Sequence, residues 1–233
     1  MYELLYNILT EIIIIIVSIL LAYLTGSIPT AVWVSRLFYD IDVREHGSGN
    51  AGATNTFRVL GKKAGIPVLI FDVFKGWLVV QMAYLTNDWL LLSNDQYVNF
   101  QLGLGVAALI GHIFPIYVGF KGGKGVATLL GLVIAVAPEA ALYAIIIFIV
   151  TLLITRFVSL SSMLAGFSFP ILIIVVLQTS TLSLVIFSMV IAILLLFTHQ
   201  KNIERLLSKE ESKANLKVKL KKASRKNAMD LDS

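Results

Sequence analysis

Two glycine-rich stretches with basic residues are the parts of this sequence best suited to chemistry. The first runs from Arg44 to Arg58 and sets serine, asparagine and threonine among three glycines. Glycine lets backbone N–H groups approach an anion closely, and successive N–H groups form an anion-binding nest. A flexible linker is the alternative, but it needs no such density of polar residues beside two arginines. The candidates here are Gly47, Ser48, Gly49, Asn50, Gly52, Thr54, Asn55 and Arg58.

The second stretch, residues 119–128, places two lysines among glycines at the start of a predicted helix. A helix N-terminus offers free amides and a partial positive charge to an anion. The stretch is not a Walker A loop, because Gly125 stands where a Ser or Thr would bind magnesium. Lys121 fits a positive residue in a tight turn equally well, so Lys124 is the stronger candidate. The candidates are Gly122, Gly123, Lys124, Gly125 and Thr128.

Two later groups of polar residues also lie at predicted helix ends. Ser159 fits an N-cap, whereas Ser161 or Ser162 can offer a hydroxyl to an anion. His199 and Asn202 are three residues apart, so they share one helix face. A histidine at a helix end is equally well explained as a partner of the helix dipole.

Three charged or titratable residues fall within apolar stretches. Asp72 and Lys75 are three residues apart in one stretch, and we expect a structural ion pair, because charges in a membrane usually pair. His112 has no other His, Cys or clustered carboxylate near it in sequence, so no metal site is predicted.

The elements that must position these residues are membrane helices. The chain is 58% apolar and 14% charged over 233 residues, against about 45–50% and about 25% in soluble domains. A soluble enzyme and a disordered chain are both excluded. With no cysteine, disulfides, thiolate zinc sites and cysteine nucleophiles are also excluded. We predict an all-α polytopic bundle over residues 1–200.

Loop charges predict the topology of the bundle. Basic and base-free connections alternate without exception if there are seven spans, with the N-terminus outside and the C-terminus in the cytoplasm. Residues 126–155 could instead form one long bent helix, but the loop charges favour two short spans. All the polar motifs then face the cytoplasm. The predicted spans are roughly 8–37, 66–86, 97–118, 126–137, 140–155, 158–177 and 182–198.

Residues 201–233 form a basic tail. Residues 1–200 carry no net charge, and the tail carries the whole +5. Such a segment is typical of a cytoplasmic extension beside anionic lipid rather than of a nucleic-acid-binding region. The first apolar stretch lacks a basic leader and a cleavage site, so we expect it to be a retained helix rather than a signal peptide.

Taken together, the motifs resemble those of the bacterial acyl-phosphate:glycerol-3-phosphate acyltransferase family, often written PlsY. The resemblance extends in order from about residue 20 to about residue 211. It rests on Gly26-Ser27-Ile28-Pro29, Gly47-Ser48-Gly49-Asn50-x-Gly52-Ala53-Thr54-Asn55, Asp72-x-x-Lys75-Gly76, Gly111-His112-x-Phe114-Pro115, Phe120-x-Gly122-Gly123-Lys124-Gly125-Val126-Ala127-Thr128, Ser159-Leu160-x-Ser162 and His199-x-x-Asn202-Ile203-x-Arg205-Leu206.

The resemblance implies seven membrane helices in a bacterial inner membrane and transfer of a fatty acyl group from acyl-phosphate to the 1-hydroxyl of glycerol 3-phosphate. The products would be lysophosphatidic acid and inorganic phosphate, in phospholipid synthesis. It implies no metal, acyl-CoA, acyl carrier protein or other cofactor. A monomer is expected, and transient contact with a soluble enzyme that makes the acyl-phosphate is left open. One departure is Lys209, where the family usually has glycine.

The resemblance also implies roles for the candidate residues. The stretch around Ser48, with Arg58, would hold phosphate at the reacting centre, and the Gly122–Lys124 loop would bind the phosphate of glycerol 3-phosphate. The catalytic set is Ser48, Arg58, Lys124, Ser162, His199 and Asn202. The hydroxyl proton would go to His199 or to the donor's own phosphate, and the resemblance favours the donor's phosphate, without a covalent intermediate.

Two other functions fit parts of the sequence. An anion transporter would place polar groups on both faces or near the midplane, whereas the outer loops here are bare. An enzyme that transfers phospho-alcohols needs clustered aspartates for magnesium, and Asp72, Asp88 and Asp95 form no such cluster.

Overall fold

The chain is predominantly helical in the residues that the computed structural model describes, which are 2–179 and 181–214. No strand occurs in that part of the chain, as expected in lipid, where a helix bonds its own backbone groups. The helices are α1 (Tyr2–Gly26), α2 (Thr30–Tyr39), α3 (Ala53–Leu60), α4 (Lys62–Leu90), α5 (Asn94–Ile113), α6 (Val126–Val136), α7 (Pro138–Thr155), α8 (Val158–Ile171), α9 (Leu182–Thr198) and α10 (Gln200–Leu207). The predicted all-helical fold is confirmed, and residues 215–233 of the predicted tail lie outside the described residues.

Five helices are long and apolar enough to cross a bilayer, judged by length and composition. The count is six if α9 and α10, which meet at 60°, form one bent span. Helix α6 has 11 residues and is therefore about 16 Å long, well short of a hydrocarbon core of about 30 Å. The predicted count of seven spans stays a prediction, as does the orientation of the termini. The five segments are Leu5–Gly26, Lys62–Asn87, Asn94–Val118, Pro138–Thr155 and Val158–Val176.

The structure divides one of the predicted apolar stretches and keeps the predicted division of another. Residues 8–37 are not one helix, because the chain leaves helical geometry between α1 and α2. Pro29 explains the break, since proline has no N–H and disfavours helical backbone in the residue before it. Residues 126–155 form two separate helices with Ala137 between them, in agreement with the predicted division into 126–137 and 140–155.

A buried ion pair holds the break between α1 and α2. Lys75 Nζ lies 2.9 Å from Asp72 Oδ1, so the predicted pair is present. Lys75 also donates to the carbonyl of Ile28 at 2.9 Å, and Thr30 Oγ1 donates to Asp72. These bonds satisfy backbone and side-chain groups that the break leaves without helical partners, which an apolar interior requires.

Helices α4 and α6 approach closely through glycine. A Cβ on Gly76 would overlap the carbonyl of Thr128, and a Cβ on Gly131 would overlap the carbonyl of Val73. Helices α1 and α5 meet in the same way at Gly111. Small residues at such contacts let helix backbones come together where lipid supplies no hydrophobic driving force. The contact between α4 and α6 fixes the start of α6, which carries the second glycine-rich stretch.

Apolar residues are divided between an interior and an outward face. Leu104, Leu132 and Ile173 are fully buried between helices. Leu153 and Ile154 of α7 are exposed, as are many apolar residues of α1 and α9. This much exposed apolar surface is explained by contact with lipid.

Replacing Gly131 by alanine should destabilise the protein, because the added methyl group meets backbone rather than a side chain that can move. We expect Gly131→Ala to lower the free energy of unfolding by about 1–3 kcal/mol, measured by thermal unfolding in detergent. Gly103 of α5 is a matched control, since nothing lies within 4 Å of a Cβ built there. Equal effects of Gly131→Ala and Gly103→Ala would contradict the close contact between α4 and α6.

Candidate active site

A cavity of about 440 Å³ brings most of the predicted site residues together. Its polar lining comes from the loop before α3, from the starts of α3, α6 and α8, from the junction of α9 with α10, and from Asp72 of α4 and His112 of α5. These elements meet at one end of the bundle. The rest of the lining is apolar and belongs mainly to α6, α7 and α8. The predicted residues that line it are Ser48, Asn50, Gly52, Thr54, Asn55, Arg58, Lys124, Gly125, Ser162, His199 and Asn202.

Asn55 shapes the first glycine-rich loop with its side chain. Its Oδ1 accepts from the N–H of Ser48 at 2.8 Å, and its Nδ2 donates to the carbonyls of Val43 and His46. The N–H of Gly49 is also used, on the carbonyl of His46. Two of the loop amides predicted to form a nest, those of Ser48 and Gly49, are therefore bonded within the loop.

The start of α3 is the part of this stretch that can receive an anion. The N–H groups of Ala53, Thr54 and Asn55 open the helix and have no acceptor within it. All three residues line the cavity, as does the side chain of Arg58, one turn later. A helix N-terminus beside a guanidinium favours negative charge.

The second glycine-rich loop packs against the end of α5. The N–H of Gly122 donates to the carbonyl of Ile113 at 3.1 Å, and the N–H of Gly123 donates to that of His112 at 3.2 Å. A Cβ on Gly123 would overlap the His112 ring. These two glycines do not line the cavity, so their amides support the loop instead of facing a ligand. Lys124 and the start of α6 are what the loop presents to the cavity.

An arginine joins the two loops. Arg44 pairs with Asp42 through Nη2, at 2.7 Å, and its Nη1 donates to the carbonyls of Val118 and Lys121. The hydrogen bonds from Arg44 hold the pKa of Asp42 well below its usual range. Of the two arginines in the first stretch, only Arg58 lines the cavity, and Arg44 has a structural role.

Lys124 is joined to Asn202 and Glu211 in a hydrogen-bonded chain. Lys124 Nζ donates to Asn202 Oδ1, and Asn202 Nδ2 donates to Glu211 Oε1 at 2.7 Å. Glu211 Oε1 also accepts from Ser159 Oγ, and Oε2 accepts from Arg205 Nε at 2.8 Å. The carboxylate thereby fixes which side of the Asn202 amide faces Lys124.

These contacts also set the charges of the chain. Burial acts to raise the pKa of Glu211, but the hydrogen bonds from Ser159, Arg205 and Asn202 outweigh it and lower the pKa. Burial lowers the pKa of Lys124 to about 8, with nearby Glu211 opposing that change. Glu211 is therefore ionised at neutral pH, and Lys124 is mostly protonated there but loses its charge in mildly alkaline solution.

His199 lies at the junction of α9 and α10 and is almost fully buried. Its Nδ1 is 3.0 Å from the carbonyl of Leu195, which can only accept. The Nδ1 therefore carries the proton in a neutral ring, and Nε2 is left as an acceptor. The helix bends at His199, so His199 and Asn202 do not share the face of one continuous helix as predicted, although both line the cavity.

The serines of α8 differ from their predicted roles. The N-cap position is Phe157, so Ser159 is not the N-cap and its hydroxyl bonds Glu211 instead. Ser161 and Ser162 donate to the carbonyls one turn earlier, and of the two only Ser162 lines the cavity. Its oxygen still has lone pairs that can accept a hydrogen bond.

Beneath the second loop lies a set of buried polar side chains. His112 Nδ1 is 3.1 Å from Thr128 Oγ1 and 3.8 Å from Asp72 Oδ1. Asp72 and His112 line the cavity, whereas Thr128, a predicted binding residue, does not. Within the described residues no group of three His, Cys, Asp or Glu side chains could hold a metal.

The sequence predicted no role for Glu211, which lies two residues beyond Lys209. Lys209 has a φ of 60°. This is the left-handed backbone conformation that glycine adopts most easily. This turn lets the backbone N–H groups of Glu210 and Glu211 donate to the carbonyl of Arg205. Lysine therefore keeps the chain reversal that brings Glu211 back to the site.

The sequence and the fold are similar to those of known acyltransferases. Residues 16–209 match the sequence profile of the glycerol-3-phosphate acyltransferase family. The glycerol-3-phosphate acyltransferase of Enterococcus faecalis is 40% identical over 219 residues, which are 91% of this chain and 97% of that protein. That of Staphylococcus carnosus is 41% identical over 199 residues, which are 85% and 97%.

Two crystal structures of PlsY, an integral membrane glycerol 3-phosphate acyltransferase, have the same fold. The glycerol 3-phosphate form superposes with a TM-score of 0.76 at 35% identity, covering 86% of this chain and 96% of that one. The lysophosphatidic acid form gives a TM-score of 0.73 at 34% identity, covering 86% and 95%.

Removing the Glu211 carboxylate should destabilise the polar end of the bundle, because three donors lose their acceptor. We expect Glu211→Ala to lower the free energy of unfolding by about 1–3 kcal/mol, measured by thermal unfolding in detergent. The neighbouring Glu210 is exposed, so Glu210→Ala should be nearly neutral. A Glu211→Ala variant as stable as Glu210→Ala would show that the chain of hydrogen bonds contributes nothing.

Proposed function

The chain belongs to the glycerol-3-phosphate acyltransferase family, and from that membership we propose that it moves a fatty acyl group from an acyl-phosphate to the 1-hydroxyl of glycerol 3-phosphate. The products are lysophosphatidic acid and inorganic phosphate. The observation that carries the proposal is the cavity with a cationic end and an apolar channel. Both substrates bring phosphate, and the donor brings a long apolar chain as well.

The forms in which the related PlsY was crystallised support this assignment. One is described as a glycerol 3-phosphate form and the other as a lysophosphatidic acid form. Lysophosphatidic acid is glycerol 3-phosphate that carries one acyl chain, so a site for it needs a phosphate-binding end and an apolar end. The cavity described above offers both.

Two groups of the polar end each receive one phosphate in this account. The amides at the start of α3, with Ser48 and Arg58, hold the phosphate of the donor next to the reacting carbonyl. Lys124 and the start of α6 hold the phosphate of glycerol 3-phosphate. Gly122 and Gly123 contribute by letting the loop pack closely on α5, and Thr128 contributes by fixing His112.

The reaction is a direct transfer. The 1-hydroxyl oxygen attacks the acyl carbonyl carbon, the bond from that carbon to the phosphate oxygen breaks, and phosphate leaves with the electron pair. The hydroxyl proton passes to the leaving phosphate. Donors placed at the charge that develops stabilise the transition state most, and Arg58 with the α3 amides lies there. Ser162, His199 Nε2 and Asn202 orient the acceptor alcohol.

The topology proposed with this function has seven membrane crossings, the N-terminus outside and the polar end at the cytoplasmic face of the inner membrane. Residues 1–200 form the membrane domain and residues 201–233 the basic tail. Lys121, Lys124, Arg58 and Arg156 then lie in cytoplasmic connections, as the distribution of basic residues favours. Glycerol 3-phosphate reaches the site from the cytoplasm, and the donor reaches it from the bilayer.

A phosphate transporter accounts less well for the cavity. Transport sites lie near the bilayer midplane, between two halves that alternate in access. Here the polar lining is confined to one end, and the rest of the cavity is apolar. An apolar channel next to a phosphate site fits a phospholipid precursor better than a free anion.

Phosphate release that depends on the acceptor is the direct test of the proposal. Purified protein in lipid mesophase is given palmitoyl-phosphate, with and without glycerol 3-phosphate. We expect phosphate release and lysophosphatidic acid only when glycerol 3-phosphate is present, and a loss of at least about tenfold in Lys124→Ala, where a charged hydrogen bond is removed. Phosphate release without glycerol 3-phosphate, or no phosphate release from folded protein, would contradict the proposal. Lys121→Ala is the control, because it removes a positive charge from the same loop.

Alkaline pH should weaken the binding of glycerol 3-phosphate, because Lys124 loses its charge. The pKa of Lys124 is about 8, so its ammonium is present below that pH and is lost as pH rises through it. The KM for glycerol 3-phosphate should therefore rise above about pH 8 in the wild type. Arginine stays charged, so Lys124→Arg should show a flat KM over this range, whatever its absolute rate. Lys121→Arg should keep the pH dependence of KM seen in the wild type. If the KM of Lys124→Arg rose with pH as much as that of the wild type, the assignment of this pH dependence to Lys124 would be wrong.

A further inference from the structure

The apolar part of the cavity is a channel bounded by one face of each of three helices. On α7 the lining residues are Ala141, Ala144, Ile145, Phe148 and Ile149. Spacings of three and four residues put them on one face of that helix. The lining residues of α8 follow the same spacing, and those of α6, between Val126 and Val133, cover a broader side of that helix. The channel therefore runs along these helices instead of crossing them.

The channel extends away from the polar end by about half the thickness of a hydrocarbon core. On α8 its lining starts at Val158 and Ser159, the serine that bonds Glu211, and ends at Phe169, ten residues beyond Ser159. Ten residues of helix advance about 15 Å. On α9 the lining residues are His199 at the polar end and Ile191, which lies about 12 Å deeper by the same rise.

The far end of the channel is closed by buried apolar side chains. Val133 of α6, Ala141 of α7, Phe169 of α8 and Ile191 of α9 are between 1% and 6% exposed. The side chains along the middle of the channel are less buried than those at its end: Ile149 is 47% exposed, and Ile145 and Phe148 are half-buried. The channel is thus open to lipid along its side and shut at its end. We call these four end residues the floor.

Phe169 is held in place within the floor. Its ring meets the ring of Phe187 edge-on, with centroids 6.4 Å apart and planes at 88°. Such aromatic pairs add stability beyond the area they bury. Phe187 is itself buried. A ring fixed in this way is a firm barrier, and Ala141 has the smallest side chain of the four floor residues.

We infer that this floor sets the longest acyl chain that the enzyme accepts efficiently, with Phe169 and Ala141 as the residues that determine specificity. This rests on the proposed acyl-phosphate donor. Each methylene that passes from water to the apolar wall of the channel favours binding about fourfold. The gain ends when the terminal methyl reaches the floor, since a longer chain must bend or push buried side chains aside, which costs free energy.

Changing the floor should move the chain-length optimum in a chosen direction. Ala141→Leu fills the end of the channel, and Phe169→Leu opens it while keeping an apolar side chain. The control is Leu142→Phe, which adds bulk at a position that is 58% exposed on the outward side of α7. For each protein, kcat/KM is measured with octanoyl-, lauroyl-, palmitoyl- and stearoyl-phosphate at saturating glycerol 3-phosphate.

The ratios between donors give the result, because they do not depend on how much of a variant is folded. We expect the palmitoyl-to-lauroyl ratio to fall about tenfold or more in Ala141→Leu, as two or more methylenes lose their place. The stearoyl-to-palmitoyl ratio should rise in Phe169→Leu, and Leu142→Phe should keep wild-type ratios. Unchanged ratios in both floor variants, or an equal loss with every donor, would overturn the inference. A wild type inactive with every acyl-phosphate would instead overturn the proposed function.

Discussion

The buried ion pair between Asp72 and Lys75 is the interaction on which the active site depends. Two charges removed from water must stay together, because either one alone would be strongly unfavourable in an apolar bundle. Their remaining bonds reach Ile28 and Thr30, at the break between the first two helices. Asp72 also lies near His112, whose ring packs under Gly123. One pair of charges thus links the chain break, the fifth helix and the second glycine-rich loop.

Glycine and charge have separate tasks at the polar end. The glycines allow backbone to approach backbone, so Gly76 and Gly131 bring α4 against α6, and Gly122 and Gly123 bring the loop against α5. The N–H groups of Gly122 and Gly123 are used in that packing, because they donate to carbonyls at the end of α5. What faces the cavity is a pair of helix N-termini with Arg58 and Lys124 beside them, and this suits two phosphates held close together without a metal.

The sequence predicted which residues meet, but not always what they do there. Hydropathy predicted the helices, and the polar motifs were predicted to lie at helix ends on one side of the bundle. Eleven of the candidate residues line one cavity. The misses share a cause: a residue type indicates which bonds are possible, and tertiary contacts select among them. Asn55 could bind an anion but bonds its own loop, and Ser159 could cap α8 but bonds Glu211. Glu211 joins the site because α10 turns away from α9 by 60° and Lys209 adopts left-handed backbone. No local sequence pattern encodes that combination.

The central claim is that both phosphates occupy the polar end together and that the acyl group passes directly between the substrates. Initial rates measured while both substrate concentrations are varied test this most directly. Direct transfer requires a ternary complex, so double-reciprocal plots should give lines that intersect. Parallel lines would indicate that phosphate leaves before glycerol 3-phosphate binds, through an acyl-enzyme intermediate, and would contradict the account.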